Sequence, residues 1–118
     1  MKTTQMNRVA ITGMGMITGL GHSLNETWKN SIEGKSGVSL IEQANTEQML
    51  TKIGGEVKNF TIADHIIEPK EAPRYDRFIH FAMHSTHEAL QDAGLLENRP
   101  YAMDRMGCIL GVGIGGFP

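Results

Sequence analysis

The sequence predicts a single α/β domain, on three observations. Two short apolar runs, Arg8–Thr12 and Arg105–Gly113, have the length and composition of buried strands, and each contains or meets glycines. The residues between the runs carry two helical patterns. The length of 118 residues suits one domain. Strands separated by helical material favour parallel pairing through crossover connections.

The composition excludes several classes of protein. Hydrophobic residues make up 40% of the chain, charged residues 20%, and the net charge is −2, so we expect neither long disorder nor a basic surface for nucleic acid. The single cysteine, Cys108, has no partner for an internal disulfide, which favours a reducing, cytoplasmic location. No apolar run has the length of a signal peptide or a membrane span, so we expect no membrane partner.

The first third of the chain predicts a strand, a loop and a helix. The strand Arg8–Thr12 leads into a flexible glycine loop, Gly13–Gly21. Ser23 stands three residues before Glu26, the spacing of a capping box that starts a helix, and Gly34 suits the left-handed residue after its end. An apolar stripe runs along this helix and consists of Leu24, Trp28 and Ile32.

The middle of the chain gives weaker patterns. Residues 35–60 have no sustained helical period, and Lys52–Val57 predicts a short strand. Ile62–Ile67 predicts one or two turns that end before Pro69, because a residue that precedes proline is disfavoured in the α region.

The second helix is the longest periodic segment. It is predicted to begin at Pro73 or Asp76 and to end at Ala93, with Gly94 just beyond it. One of its faces consists mostly of small residues: Phe78, Ala82, Ser85, Ala89 and Ala93. Small side chains permit a close approach, so we expect this face to pack against a sheet or another helix.

The strand Arg105–Gly113 completes the predicted elements. A parallel strand that is buried on both faces needs neighbouring strands and covering helices. We therefore expect the 118 residues to be the beginning of a larger α/β protein, or a piece that associates to cover its edges.

Three groups of residues are candidate functional sites, and for each of them a structural role is favoured over a chemical one. Gly111–Gly116 fits the G-x-G-x-x-G pattern of dinucleotide sites, but no helix or acidic residue follows at the required distance, so a close-packed turn is favoured. His80, His84 and His87 share a helix face and could present imidazoles to a metal. No carboxylate completes that set, which favours solvated or hydrogen-bonded histidines and no metal site. Cys108 is expected to be a buried small hydrophobe, since burial raises a thiol pKa and suppresses the reactive thiolate.

The order of the motifs along the chain is more specific than any one of them. Together they resemble the N-terminal part of β-ketoacyl-acyl carrier protein synthases, and most of all the elongating synthase II type, over nearly the whole chain. The matching blocks are Arg8–Gly15, Thr18–Gly21, Trp28, Gly34–Val38, Glu56–Phe60, Lys70–Glu71, Asp76–Phe78, Glu88–Gly94 and Gly111–Gly116.

The resemblance implies an N-terminal part of the thiolase-like fold, in which two similar halves pack sheets around central helices, usually in a homodimer. Residues 1–118 would be a segment of the first half, with no second domain. The implied reaction is a decarboxylating Claisen condensation in fatty acid biosynthesis. An active-site cysteine accepts an acyl chain from acyl carrier protein, and malonyl carrier protein loses carbon dioxide and attacks the resulting thioester. The resemblance implies no organic cofactor.

The resemblance also implies which residues contact substrate and carrier. The family's catalytic cysteine, histidines and lysine belong to blocks beyond the glycine segment, so no catalytic residue is assigned and the 118 residues alone are expected to be inactive. Ile114 matches an apolar position at the acyl pocket, and Lys70 and Arg74 match basic positions that receive the acidic carrier protein. Two other functions stay open: a non-catalytic partner subunit of a complete synthase, and a nucleotide-binding α/β module.

Overall fold

The computed structural model describes residues 7–98 and 100–116. Two helices and a two-stranded antiparallel sheet make up its regular structure, and two single 3₁₀ turns accompany them. In chain order the elements are α1 (Leu24–Ile32), β1 (Val38–Leu40), β2 (Ile53–Gly55), a 3₁₀ turn (Ala72–Arg74), α2 (Arg77–Asp92) and a second 3₁₀ turn (Met103–Arg105). The predicted domain, residues 1–118, extends beyond the described residues at both ends.

Helix α1 confirms the predicted capping residues. The Ser23 hydroxyl accepts a hydrogen bond from the Glu26 N–H at 3.2 Å. The Glu26 carboxylate reaches one residue further back than a capping box requires and accepts from the His22 N–H at 2.7 Å. At the other end Gly34 has φ +71° and donates its N–H to the Ser31 carbonyl at 3.1 Å, so the helix ends where the sequence predicts.

The predicted apolar stripe is not the buried face of α1 in the described chain. Trp28 and Ile32 are each 66% exposed, whereas Thr27 is buried. The Thr27 hydroxyl donates to the Gly21 carbonyl at 3.3 Å and lies 3.1 Å from the Thr18 hydroxyl. Polar contacts to the preceding loop therefore hold α1 in place.

Strands β1 and β2 form an antiparallel hairpin, with Val38 opposite Gly55 and Leu40 opposite Ile53. Strand β2 lies inside the predicted strand Lys52–Val57 and confirms it. The sequence analysis did not predict β1, because three residues are too few to show an alternating pattern. This hairpin is the one sheet among the described residues, and it does not contain the two apolar runs for which parallel pairing was predicted.

The Glu56 carboxylate secures the end of this hairpin. It accepts hydrogen bonds from the backbone N–H groups of Glu42 at 2.8 Å and Gln43 at 3.0 Å. The Glu42 hydrogen bond is the main reason why the pKa of Glu56 lies below its ordinary value, and the charges of Lys58 and Arg77 lower it further.

This geometry makes the stability of the hairpin depend on pH. The folded state has the lower Glu56 pKa, so the contribution is complete above the pKa of an unfolded glutamate, about 4.3, and is lost as the pH falls through the folded value. We expect Glu56→Gln to lower the urea midpoint at neutral pH and to lose this effect in acid. Urea titrations at several pH values measure it, with Glu47→Gln in the exposed hairpin loop as the control. An equal decrease in the urea midpoint for Glu56→Gln at every pH would contradict the assignment of this stability to the ionised Glu56 carboxylate.

Helix α2 is the longest element and matches its prediction closely. It begins after Asp76, which has extended backbone angles, and it ends before Ala93. Gly94 has φ +68° and donates its N–H to the Gln91 carbonyl at 3.0 Å. Pro73 lies in the preceding 3₁₀ turn and not in α2, so the later of the two predicted starting points is correct.

The small face of α2 packs against a backbone, as predicted, but the backbone belongs to the glycine loop and not to a sheet or helix. A Cβ atom added at Gly15 would overlap the Ser85 carbonyl oxygen and lie 2.8 Å from the Ala89 amide nitrogen. A Cβ atom at Gly13 would overlap the Ala89 carbonyl oxygen and lie 2.6 Å from the Ala93 nitrogen. The predicted flexible loop is thus held against α2 at its first glycines.

The two predicted apolar strands are absent from the described residues. Residues 7–12 and 106–112 form neither helix nor strand, and they pair with no strand within 7–98 and 100–116. Val9 is 93% exposed and Ile109 is 98% exposed. Cys108 is exposed as well, so the prediction of a buried thiol is also wrong. Apolar composition alone does not create a strand, because the backbone needs a neighbour to pair with.

The core of the described chain is small. It contains the buried residues Phe60, Ile62 and Ile67, and Phe81 of α2 packs against them. The predicted turn in Ile62–Ile67 is confirmed, since the N–H groups of Ile66 and Ile67 both donate to the Ala63 carbonyl, at 2.9 and 3.2 Å. This turn connects the hairpin to the segment that leads into α2. Among the described residues, no helix has the length and apolar character needed to cross a bilayer.

Candidate functional site

Lys70 and Arg74 lie on the exposed turns that precede α2. The Lys70 Nζ is 2.7 Å from the Glu68 carboxylate, with the two side chains 75% and 65% exposed. The Arg74 Nη1 lies 3.0 and 2.9 Å from the two carboxylate oxygens of Glu71. Both predicted carrier-binding cations are therefore at the surface, and each contacts an acidic side chain of its own segment.

Successive turns fix the backbone beneath these pairs. The N–H of Glu71 donates to the Glu68 carbonyl, and the N–H of Arg74 donates to the Glu71 carbonyl, each at 2.9 Å. From α2, the His80 ring nitrogen Nε2 lies 2.9 Å from the Ala72 carbonyl and donates to it, because a carbonyl oxygen only accepts. The helix thus holds the 3₁₀ turn, and the turn presents the two cations.

Ile114 lies at the same end of α2. Its side chain is 85% exposed. The next residue, Gly115, has φ +82°, and a Cβ atom there would lie 3.8 Å from the Phe78 ring. A Cβ atom at Gly116 would overlap the carboxylate of Asp76, the residue just before α2. The predicted substrate residue and the predicted carrier-binding residues therefore come together around the start of α2.

The glycine motif Gly111–Gly116 packs against α2 only at its end, since a Cβ atom added at Gly111 or Gly113 would meet open space. Its last two glycines approach side chains at the start of α2, and no helix begins within the motif as far as residue 116. The close-packed interpretation therefore holds for Gly115 and Gly116 and is wrong for Gly111 and Gly113 in the described chain.

The three histidines of α2 diverge to different partners. His80 donates to a backbone carbonyl as described above. His84 donates its Nε2 hydrogen to the His22 carbonyl at 2.7 Å, and the His87 ring lies 4.9 Å from the His65 ring, centroid to centroid. Within residues 7–98 and 100–116, no three side chains of the ligand types are grouped to hold a metal ion. Hydrogen-bonded histidines were the favoured interpretation, and His80 and His84 have this role.

Cys108 borders an open, largely apolar cavity of about 770 Å³ between α2 and the chain near residue 110. This cavity was not predicted from the sequence, because the segment near residue 110 was expected to be a strand within a sheet. The lining includes Phe78, Met83, Leu90, Leu110 and Val112. His65 and His87 also line the cavity, but their rings contact each other and no hydrogen bond joins either ring to the Cys108 thiol in the described chain, so the cavity has the character of an apolar packing surface.

Two carboxylates of α2 were also missed, although their spacing of four residues was visible in the sequence. Glu88 accepts the backbone N–H groups of Met16 and Leu24 at 2.8 Å each. Asp92 accepts the Met14 N–H at 3.0 Å. The two side chains connect α2 to the glycine loop and to the first residue of α1.

Comparison with known families gives one match that covers nearly the whole chain. The family described as "Beta-ketoacyl synthase, N-terminal domain" matches residues 6–117. This range includes both helices, the hairpin, the Lys70 and Arg74 turns and the glycine motif.

Individual relatives agree with the family match. The chain is 43% identical over 114 residues to 3-oxoacyl-[acyl-carrier-protein] synthase 2 of Staphylococcus aureus strain COL, which covers 97% of this chain and 27% of the relative. It is 39% identical over 117 residues to the Synechocystis protein of the same name, which covers 99% of this chain and 28% of the relative. The chain spans about a quarter of the length of these relatives.

Proposed function

Because the chain belongs to the β-ketoacyl synthase family and matches its N-terminal domain, we propose that it is the N-terminal part of a 3-oxoacyl-[acyl-carrier-protein] synthase. The observation that carries this proposal is the 43% identity to a protein of that name across 97% of the chain. The proposed enzyme is an acyltransferase that elongates acyl chains in fatty acid biosynthesis.

The proposed reaction is a decarboxylating condensation. An enzyme cysteine takes the acyl group as a thioester and releases the first carrier thiol. Loss of carbon dioxide from malonyl carrier protein leaves a carbanion, which attacks the thioester carbonyl, forms the new carbon–carbon bond and expels the cysteine thiolate. Cys108 borders the same apolar cavity as His65 and His87, but no hydrogen bond joins its thiol to either histidine in the described residues, which supports a catalytic nucleophile elsewhere in the enzyme. The 118 residues are therefore proposed to be inactive without the remainder of such an enzyme.

The residues of this chain have binding roles in the proposal. Lys70 and Arg74 receive the acidic surface of the carrier protein, and their exposure on the turns before α2 supports this role. Ile114 contributes to the acyl pocket, and the position of its neighbours Gly113 and Gly115 in the lining of the apolar cavity beside α2 supports this role. Carrier-bound acyl and malonyl thioesters are the proposed substrates.

The proposed architecture is the layered, thiolase-like α/β fold, as a homodimer in the cytoplasm. Two apolar segments, residues 7–12 and 106–112, support it, since they have the composition of strands and are exposed in the described chain. Exposed apolar segments of this kind indicate surfaces that further polypeptide covers.

A condensation assay tests the proposed function. The native polypeptide that contains these residues is mixed with acyl and malonyl carrier proteins, and the 3-oxoacyl product and carbon dioxide are measured. We expect the two products in equal amounts, and none from the isolated 118 residues. An inactive native polypeptide would overturn the proposed enzyme, and turnover by the isolated residues would overturn the proposed role of the remainder.

A further inference from the structure

The two proposed carrier-binding cations differ in how firmly their acidic neighbours hold them. The Lys70–Glu68 pair joins two side chains that are both largely exposed. In the other pair, Arg74 is 71% exposed but Glu71 only 33% exposed, and one guanidinium nitrogen contacts both carboxylate oxygens. A carboxylate that is partly ordered by its surroundings loses less side-chain entropy when it forms an ion pair. Arg74 therefore has the better-defined internal partner.

The backbone places Glu71 opposite Arg74 before any ligand arrives. The residues are three apart and the Arg74 N–H donates to the Glu71 carbonyl at 2.9 Å, so the same turn brings both side chains to one side. An anionic ligand that binds the Arg74 guanidinium at the same nitrogen must displace this carboxylate. Glu71 thus occupies one of the guanidinium positions, the Nη1 donors, that a carboxylate or phosphate of a partner would take.

The other charged residues between 68 and 77 do not give a partner a replacement for Arg74. The third cation, Arg77, donates to the Val57 carbonyl, and its guanidinium carbon lies 5.2 Å from the centre of the Phe81 ring, so it is directed towards the hairpin side of α2. Residues 68–77 contain three acidic and three basic side chains. With Arg77 engaged, the acidic side chains outnumber the cations left to face a partner.

We propose that Glu71 is an internal competitor for the acidic carrier protein. Its carboxylate pairs with Arg74 in the free protein, and carrier docking exchanges this pair for a pair between Arg74 and an acidic group of the carrier. The exchange weakens binding and speeds release, which suits a partner that must arrive and leave in every cycle. This inference rests on the proposed function, because it assumes that Lys70 and Arg74 receive the carrier.

Carrier affinity of the native polypeptide and its variants tests the inference. We expect Glu71→Gln to tighten binding of acyl carrier protein by about threefold to fivefold, the factor that corresponds to an exposed ion pair of good geometry. Arg74→Gln and Lys70→Gln are each expected to weaken binding. In the Arg74→Gln background, Glu71→Gln is expected to change the affinity little, because its partner is gone.

A matched control distinguishes the effect of breaking the Glu71–Arg74 pair from the effect of removing one negative charge. Glu33 forms a 2.8 Å pair with Lys35 beyond the end of α1, so Glu33→Gln also removes one negative charge from a surface ion pair. It is expected to leave carrier affinity unchanged. The salt dependence is a second readout: log affinity falls with log salt concentration, and Glu71→Gln is expected to steepen that slope because Arg74 is then free for the carrier.

The outcomes distinguish this inference from the proposed function. If Arg74→Gln and Lys70→Gln leave affinity unchanged, the carrier-binding roles of these two residues and the competitor are both overturned, whereas the proposed enzyme is overturned only by an inactive native polypeptide in the condensation assay. If they weaken binding but Glu71→Gln does not tighten it, the surface stands and the competitor is overturned. If Glu71→Gln tightens binding equally with and without Arg74, general charge is responsible, which also overturns the competitor.

Discussion

Gly15→Ala is expected to lower the free energy of unfolding by about 3 kcal/mol or more, the largest effect of any substitution considered for this chain. The added Cβ atom would overlap the Ser85 carbonyl oxygen and lie 2.8 Å from the Ala89 nitrogen. Both are backbone atoms of α2 and have no rotamer into which they can move. The loop and the helix must therefore separate, and their contact is lost.

Urea unfolding of the native polypeptide measures this effect, and Gly55→Ala is the matched control. The control glycine lies in β2, and its added Cβ atom would come no closer than 3.9 Å to the Gly37 carbonyl oxygen. We expect the control to change the free energy of unfolding by less than about 0.5 kcal/mol. Equal stability of the two variants would show that the glycine loop does not lie against α2.

Glu88→Gln is expected to have the second largest effect, a loss of about 2 kcal/mol in the free energy of unfolding. The carboxylate accepts two backbone N–H groups, from Met16 and Leu24, each at 2.8 Å. An amide has only one acceptor oxygen, so one of these N–H groups would face the amide's own N–H₂ group. The substitution also removes the negative charge next to the first residue of α1, where the helix dipole favours it.

Asp92→Asn provides a graded comparison for this prediction. Asp92 accepts a single backbone hydrogen bond, from the Met14 N–H at 3.0 Å, and an amide oxygen can replace that acceptor. We expect a loss of less than about 1 kcal/mol in the same urea titration. If Asp92→Asn were as damaging as Glu88→Gln, the two N–H groups at Glu88 would not explain its effect.

Local signals in the sequence predicted both helices well. Ser23, Gly34 and Gly94 mark helix ends through their own side chains or backbone angles, and the structure shows these features at those residues. The small face of α2 also predicted a close approach correctly. What the pattern did not identify was the approaching backbone, because Gly13 and Gly15 lie some seventy residues away and periodicity carries no information about long-range pairing.

The strands, unlike the helices, were predicted poorly from local sequence signals. Arg8–Thr12 and Arg105–Gly113 have strand-like composition but remain unpaired in the described chain, whereas β1, with only three residues, was not predicted. A strand depends on the backbone that lies beside it, and composition does not show whether that backbone is present. The same dependence explains why Cys108 is exposed and not buried.

The candidate site was predicted by resemblance and not by local chemistry. Nothing in the spacing of Lys70, Arg74 and Ile114 indicates that they share one end of α2; the turns and the glycine motif bring them there. The ion pair between Glu71 and Arg74 was overlooked even though their spacing of three residues is a recognisable signal.

The central claim is that the chain's exposed apolar segments are covered by further polypeptide in the protein to which they belong. Amide hydrogen exchange of the native polypeptide tests it most directly at Val9, Ile11 and Ile109, with fully exposed Leu50 of the hairpin loop as the internal reference. The account predicts exchange at least about a hundredfold slower at the three apolar positions than at Leu50. Exchange as fast as at Leu50 would contradict it.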